Sequence, residues 1–242
     1  MIGHASDRQT VIYASPLIPA ELISAQGLRP CRIPLRMSGQ EINASEGICP
    51  YAAAFAKAAL NRQDIAAFVV VTSCDQMRRI AESIHGSNIH TFLLHAPVAY
   101  QGETSLDFYR SELLRLSTLL TRLNGKPLNP DVLIDNMRAF DSGRERLRNT
   151  RTRLGAKAFA QAIMEYQSIG EADPCRILAE LSNANSIHST PVALLGGPLS
   201  IEQIQLFDLI ERAGGEVVLD GCESGERCLP GPFSKNRPTD PL

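Results

Sequence analysis

Ala66-Ala-Phe-Val-Val-Val-Thr72, followed at once by Ser73-Cys74-Asp75, decides how this chain folds. The run is short, unbroken and rich in β-branched residues. That pattern suits a strand buried on both faces, as in a parallel sheet covered by helices. Asp75 to Ile84 then reads as a helix with Asp75 as its N-cap. Upstream, Thr10-Val-Ile-Tyr-Ala14 is a strand ending at Ser15-Pro16, and Pro19 to Gly27 a short helix with Pro at its start and Gly at its stop. Arg32 to Leu35 reads as a second strand, and Pro50 opens an alanine-rich helix to about Asn61. Thr91 to His95 is a further strand, closed by Ala96-Pro97.

Beyond residue 105 the periodicity changes. Leu106, Leu113, Leu116, Leu120 and Leu123 recur at helical spacing up to Asn124-Gly125, and Asn129-Pro130 starts another helix that runs through the arginines. Alternation returns with a strand at Val192 to Leu195 and a turn at Gly196 to Ser200. A helix over Ile201 to Arg212, stopped by Gly214-Gly215, and a strand at Glu216 to Asp220 complete it. The expected class is α/β. We expect a parallel-sheet N-terminal domain over residues 1–104, a helical region over 105–188, and the start of a second, incomplete α/β domain over 189–242. One βαβ unit does not close a doubly wound sheet.

Composition narrows the function. With 242 residues, 44% of them hydrophobic and 21% charged, the chain matches globular proteins and excludes disordered or fibrous ones. A net charge of -2 and a pI near 6.2 argue against nucleic acid or acidic lipid as the main partner. The basic run from Arg144 to Arg153 reads as a solvated helix face. No stretch approaches a membrane span, and the first residues lack the layout of a signal peptide, so a cytoplasmic protein is expected. In a reducing compartment the six cysteines are free thiols, metal ligands or catalytic groups.

Two of them share a setting. Cys49, in Gly47-Ile-Cys49-Pro50-Tyr51, lies between a glycine turn and a Pro-started helix, and Cys74 lies where the best strand hands over to a helix. Active-site groups of parallel sheets collect at strand carboxyl ends, and helix N-termini favour the thiolate that ligates iron or zinc. The alternative is two buried thiols packing as small hydrophobes. Gly196-Gly197 before a helix could cradle a phosphate, though such turns are common. His95, at a strand end, is a proton carrier or a structurally hydrogen-bonded histidine. His85 and His90 read as loop residues, and Arg78 and Arg79 face solvent or a partner. Cys31, Cys175 and Cys228 read as structural, and Cys222 with Cys228 offers only two ligands for a zinc clip.

The string Cys49-Pro50-Tyr51-Ala52, with Val70-Val-Thr-Ser-Cys74-Asp75-Gln-Met-Arg78-Arg79 after it, resembles the 2-hydroxyacyl-CoA dehydratase D-component family, which includes benzoyl-CoA reductase cluster subunits. Ile18 to Leu28 resembles that family's first helix, and Tyr109 to Leu113 with Leu123-Asn-Gly125 its helical middle. Leu195 to Leu199, Glu211 to Val218 and Cys222 to Gly225 resemble the start of its second α/β domain. The resemblance implies an oxygen-sensitive [4Fe-4S] cluster held by three cysteines with one iron open, and Cys49 and Cys74 match two of those positions. The third falls late in the second α/β domain, where no residue of this chain matches. Cys222 matches a position that is not a ligand. The resemblance further implies an acyl-CoA substrate, radical dehydration or reduction, a homo- or heterodimeric arrangement with a paralogous subunit, and an ATP-dependent iron–sulfur activator. A non-catalytic member that pairs with a full-length paralogue is the alternative.

Overall fold

The computed structural model describes residues 9–37, 47–84, 89–99, 101–124, 126–180 and 189–233. The first sheet contains β1 (Thr10–Tyr13), β2 (Arg29–Cys31), β3 (Ile65–Val71) and β4 (His90–Leu94). All three pairings are parallel, in the order β2-β1-β3-β4. Successive residues of β3 face opposite layers. Ala67, Val69 and Val71 join one core with Leu22, Ile23 and Leu116, while Phe68 and Val70 join another with Phe55 and Ile80. Burial on both faces is why the strand is apolar without interruption.

Helices cover the two faces according to the direction of travel. α1 (Ala20–Ala25) carries the chain from β1 outward to β2 and packs on the first face, with α4 (Glu103–Asn124). α2 (Pro50–Leu60) and α3 (Asp75–Ile84) carry it back across β1 to β3 and on to β4, and both pack on the second face. Right-handed crossovers require this, because reversing direction moves the helix to the other side. The reversal puts a topological switch point between β1 and β3.

α4, α5 (Pro130–Arg148), α6 (Ala156–Ile169) and α7 (Cys175–Glu180) form the helical middle. Leu113, Leu116 and Leu120 of the periodic leucines are buried, whereas Leu106 is exposed. A second parallel pair, β5 (Thr190–Gly196) and β6 (Gly215–Cys222), packs with α8 (Gln205–Arg212) against α6 through Val217, Phe207, Ala156 and Ala160. The mixed α/β organisation expected from the sequence is the one observed.

Three local readings are corrected. The second strand lies at Arg29–Cys31, not at Arg32–Leu35. Its ladder ends because the Arg32 backbone N–H donates to the Gln167 carbonyl of α6 (3.0 Å). The helix expected from Ile201 begins only at Gln205. Ser200 and Gln203 cap each other reciprocally (2.8 and 3.3 Å) and hold 201–204 as turns. Gly196-Gly197 therefore does not open a helix, and the phosphate-cradle reading loses its geometry. Finally, the basic run is a solvated face only in part, at the exposed Arg146 and Arg153. Arg144 pairs with Glu21 (2.5 Å) and Asp141 (2.6 Å), Arg148 donates to the Leu229 carbonyl (3.1 Å), and Arg151 pairs with Glu226 (3.3 Å). These arginines stitch the helical middle to the first sheet's helices and to the C-terminal segment.

Candidate functional site

Cys49 is the N-cap of α2, with extended backbone (φ -68°, ψ 149°), and its Sγ accepts from the Ala52 N–H (3.4 Å). Pro50 at the first helical position lacks the N–H that would go unpaired there. α3 begins at Asp75, and the Cys74 carbonyl accepts from the Met77 and Arg78 N–H groups (3.0 and 3.2 Å). Cys74, not Asp75, thus holds the capping position. Asp75 points outward, 86% exposed, 3.6 Å from Arg78.

The two caps are tied together. The Gln76 side-chain oxygen on α3 accepts from the Cys49 N–H (2.8 Å), and Arg79 donates to the Gly47 carbonyl (2.8 Å). Gly47 has a φ of +82°, and a Cβ there would sit 2.9 Å from Arg79 Nη1. Only glycine makes that turn without strain. The glycine turn noticed in the sequence is what presents Cys49 beside α3.

Both thiols line one cleft of about 560 Å³, with Ala14, Ser15, Tyr51, Val71, Ser73, Met77, Pro198 and Glu223. Ala14 and Ser15 follow β1, and Ser73 and Cys74 follow β3. The cleft therefore opens at the carboxyl ends of the strands flanking the switch point, where ligands of open α/β sheets bind. Cys74 is exposed and Cys49 half-buried. Burial, opposed by nearby Arg32, pushes the Tyr51 phenol up to about 12, so it keeps its proton.

Pro198 and Glu223 come from the second parallel unit, and Arg32 holds that unit in place. The Arg32 side chain is 5% exposed. Its Nε donates to the Ala14 carbonyl (3.1 Å). Its Nη1 reaches Gln167 Oε1 (2.8 Å), the Glu223 carbonyl (2.9 Å) and Cys228 Sγ (2.9 Å), and its Nη2 lies 3.4 Å from the Glu223 carboxylate. Sequence reading passed over Arg32, Tyr51 and Glu223 as site residues. An arginine just past a strand, inside an otherwise apolar segment, was the one available signal.

The remaining candidates lie elsewhere. His95 is exposed and donates its backbone N–H to Glu112 (2.8 Å), while His90 is the first residue of β4 and not in a loop. His85 lies outside the described residues. Cys31 is buried near Arg62, Cys175 opens α7 beside Arg146 (3.1 Å), and Cys228 donates to the Glu223 carbonyl (2.9 Å). Burial, followed by the neighbouring Asp220, pushes the Cys222 thiol up to about 12. Among the described residues no three His, Cys, Asp or Glu side chains gather as a ready metal site. The cleft offers two thiols and space, which fits part of a cluster's ligand set. None of the described helices is long and apolar enough to cross a membrane.

No curated protein matches the chain. The family model of the 2-hydroxyglutaryl-CoA dehydratase D-component matches residues 17–242. With nearly the whole sequence covered and the motif segments in order, this chain belongs to the 2-hydroxyglutaryl-CoA dehydratase D-component family, whose members are components of dehydratase-related enzymes.

Proposed function

We propose that this chain is the iron–sulfur component of a 2-hydroxyacyl-CoA dehydratase or benzoyl-CoA reductase-like enzyme. Cys49 and Cys74 are two of the ligands to a [4Fe-4S] cluster. The observation that supports this most is the convergence of two cysteines, each immediately before one of two adjacent helices, on a switch-point cleft in a chain of this family. The chain works in the cytoplasm with a paralogous subunit or a second copy of itself, and with an ATP-dependent iron–sulfur activator. When bound, such a cluster supplies single electrons and, at an iron with an open position, Lewis acidity toward a thioester carbonyl.

The chain's own residues bind and shield. The Ala52 N–H donates to Cys49 Sγ and fixes that sulfur at the start of α2. Ala14, Val71, Met77 and Pro198 supply apolar walls that limit water. The protonated Tyr51 hydroxyl is a hydrogen-bond donor suited to a carbonyl or hydroxyl oxygen.

Anaerobic reconstitution with iron and sulfide tests the reading. Wild-type protein should take up iron and sulfide and show a reduced-cluster EPR signal, and C49S and C74S should each lose most of both. A colourless, iron-free wild type after reconstitution, alone and with its paralogue, would refute it. Product analysis with 2-hydroxyacyl-CoA and aryl-CoA substrates separates lyase from reductase.

The missing third ligand among the described residues favours a second reading, in which the chain is a non-catalytic partner of a full-length paralogue. A stable complex in which all the iron belongs to the paralogue, unchanged by C49S, would establish that reading instead.

A further inference from the structure

We infer that Glu223 is the proton-transferring residue of the cysteine cleft. This rests on the acyl-CoA reading above. Among the described residues that line the cleft, Glu223 is the one carboxylate. The serines and the tyrosine hold their protons at neutral pH, and the thiols are assigned to the cluster, which leaves Glu223 as the available proton acceptor.

Its placement is built rather than incidental. Glu223 follows β6, and its backbone is fixed at two points. Its N–H donates to the Gly196 carbonyl (3.2 Å), and its carbonyl accepts from Arg32 (2.9 Å) and from the Cys228 thiol (2.9 Å). One carboxylate oxygen, Oε1, lies 3.4 Å from the buried Arg32 guanidinium. The other has no hydrogen-bond partner among the described residues. The side chain is 27% exposed, so it is held on one side and open on the other. A carboxylate placed this way can accept and return a proton without moving the chain that carries it.

Loss of water from a 2-hydroxyacyl thioester breaks the C–O bond at carbon 2 and a C–H bond at carbon 3, and forms the double bond between them. Once the added electron has let hydroxide leave carbon 2, Glu223 takes the now acidic carbon-3 proton and passes it to that hydroxide. Water leaves and the carboxylate is regenerated. The single electron that activates the thioester is lent by the one-electron reductant, the activator named above, and recovered at the end, so the elimination is redox-neutral.

The test uses the assembled enzyme, this chain with its partner subunit and activator. E223Q keeps the side-chain volume, the backbone contacts and an oxygen facing Arg32. Its kcat should fall by roughly a hundredfold or more, as removal of a general acid–base group does, with KM for the 2-hydroxyacyl-CoA changed less than about twofold. Substrate deuterated at carbon 3 should show a larger isotope effect in E223Q than in wild type, and formate should partly restore E223A. A kcat for E223Q within about threefold of wild type overturns the inference and leaves the acyl-CoA reading standing. So does a loss that comes with a lower melting temperature and no formate rescue. Wild-type enzyme that neither binds nor converts any 2-hydroxyacyl-CoA overturns both.

Discussion

Replacing Arg32 with Met is the most direct test of how the cleft is held together. Methionine fills much of the same space, so the change removes charge and donors rather than volume. Five acceptors lose a partner: the Ala14 carbonyl, Gln167 Oε1, the Glu223 carbonyl, the Glu223 carboxylate and Cys228 Sγ. Gln167 and Glu223 are partly exposed and can turn to water, whereas Ala14 and Cys228 are buried. The two stranded groups, at about 1–3 kcal/mol each, suggest a loss of roughly 2–6 kcal/mol. Relief of the cost of burying a guanidinium offsets part of that and leaves about 1–5 kcal/mol. For a chain of this size that corresponds to a melting temperature lower by about 2–20 °C. Urea unfolding followed by circular dichroism measures the change. Amide exchange should show β5 and β6 losing protection before β1 and β3, because Arg32 joins the two units. A destabilisation below about 1 kcal/mol, with unchanged exchange in β5 and β6, would show that Arg32 is not the tie described.

Further expectations concern other parts of the fold. Burial raises Glu112, on the inner face of α4, but its hydrogen bonds from Arg115 and from the His95 N–H outweigh that and hold it below the usual carboxylate range. A depressed folded value means its stabilisation is present above about pH 4.3, the unfolded value, and fades as pH falls through the folded one. E112Q should therefore be less stable than wild type at pH 7, with the gap closing in acid, as read by denaturation at several pH values. In cluster-free protein, N-ethylmaleimide should label the exposed Cys74 and Cys175 first, Cys49 next, and the buried Cys31, Cys222 and Cys228 only on unfolding, as followed by peptide mass spectrometry. G143A should cost about 1–3 kcal/mol in a urea titration, because the new Cβ would meet the Ala172 carbonyl oxygen at 1.9 Å and the Tyr166 hydroxyl at 2.7 Å.

Much of the first sheet was legible in the residues. β3 and α2 were readable because a two-faced strand and an alanine-rich, Pro-started helix carry local patterns that few alternatives share. The edge strand was misplaced by a few residues because Arg29-Pro-Cys31 has no strand-like pattern of its own. Its pairing with β1 comes from the position of α1, not from propensity. The arginine run was partly misread for a related reason. Spacing along a helix gives the face of each arginine but not which acceptors from other segments come to meet it.

The sequence by itself determined the class of fold, the family, and the two cysteines at helix starts, because each depends on local order and residue chemistry. Only the tertiary structure decided that those cysteines share a cleft, that Cys74 rather than Asp75 caps its helix, and that Glu223 reaches the same space from more than two hundred residues after β1 begins. The reason is geometric. Reversal of the chain across β1 creates the switch point, and the buried Arg32 guanidinium brings a distant segment over it. Neither the reversal nor that bridge leaves a mark in residue spacing.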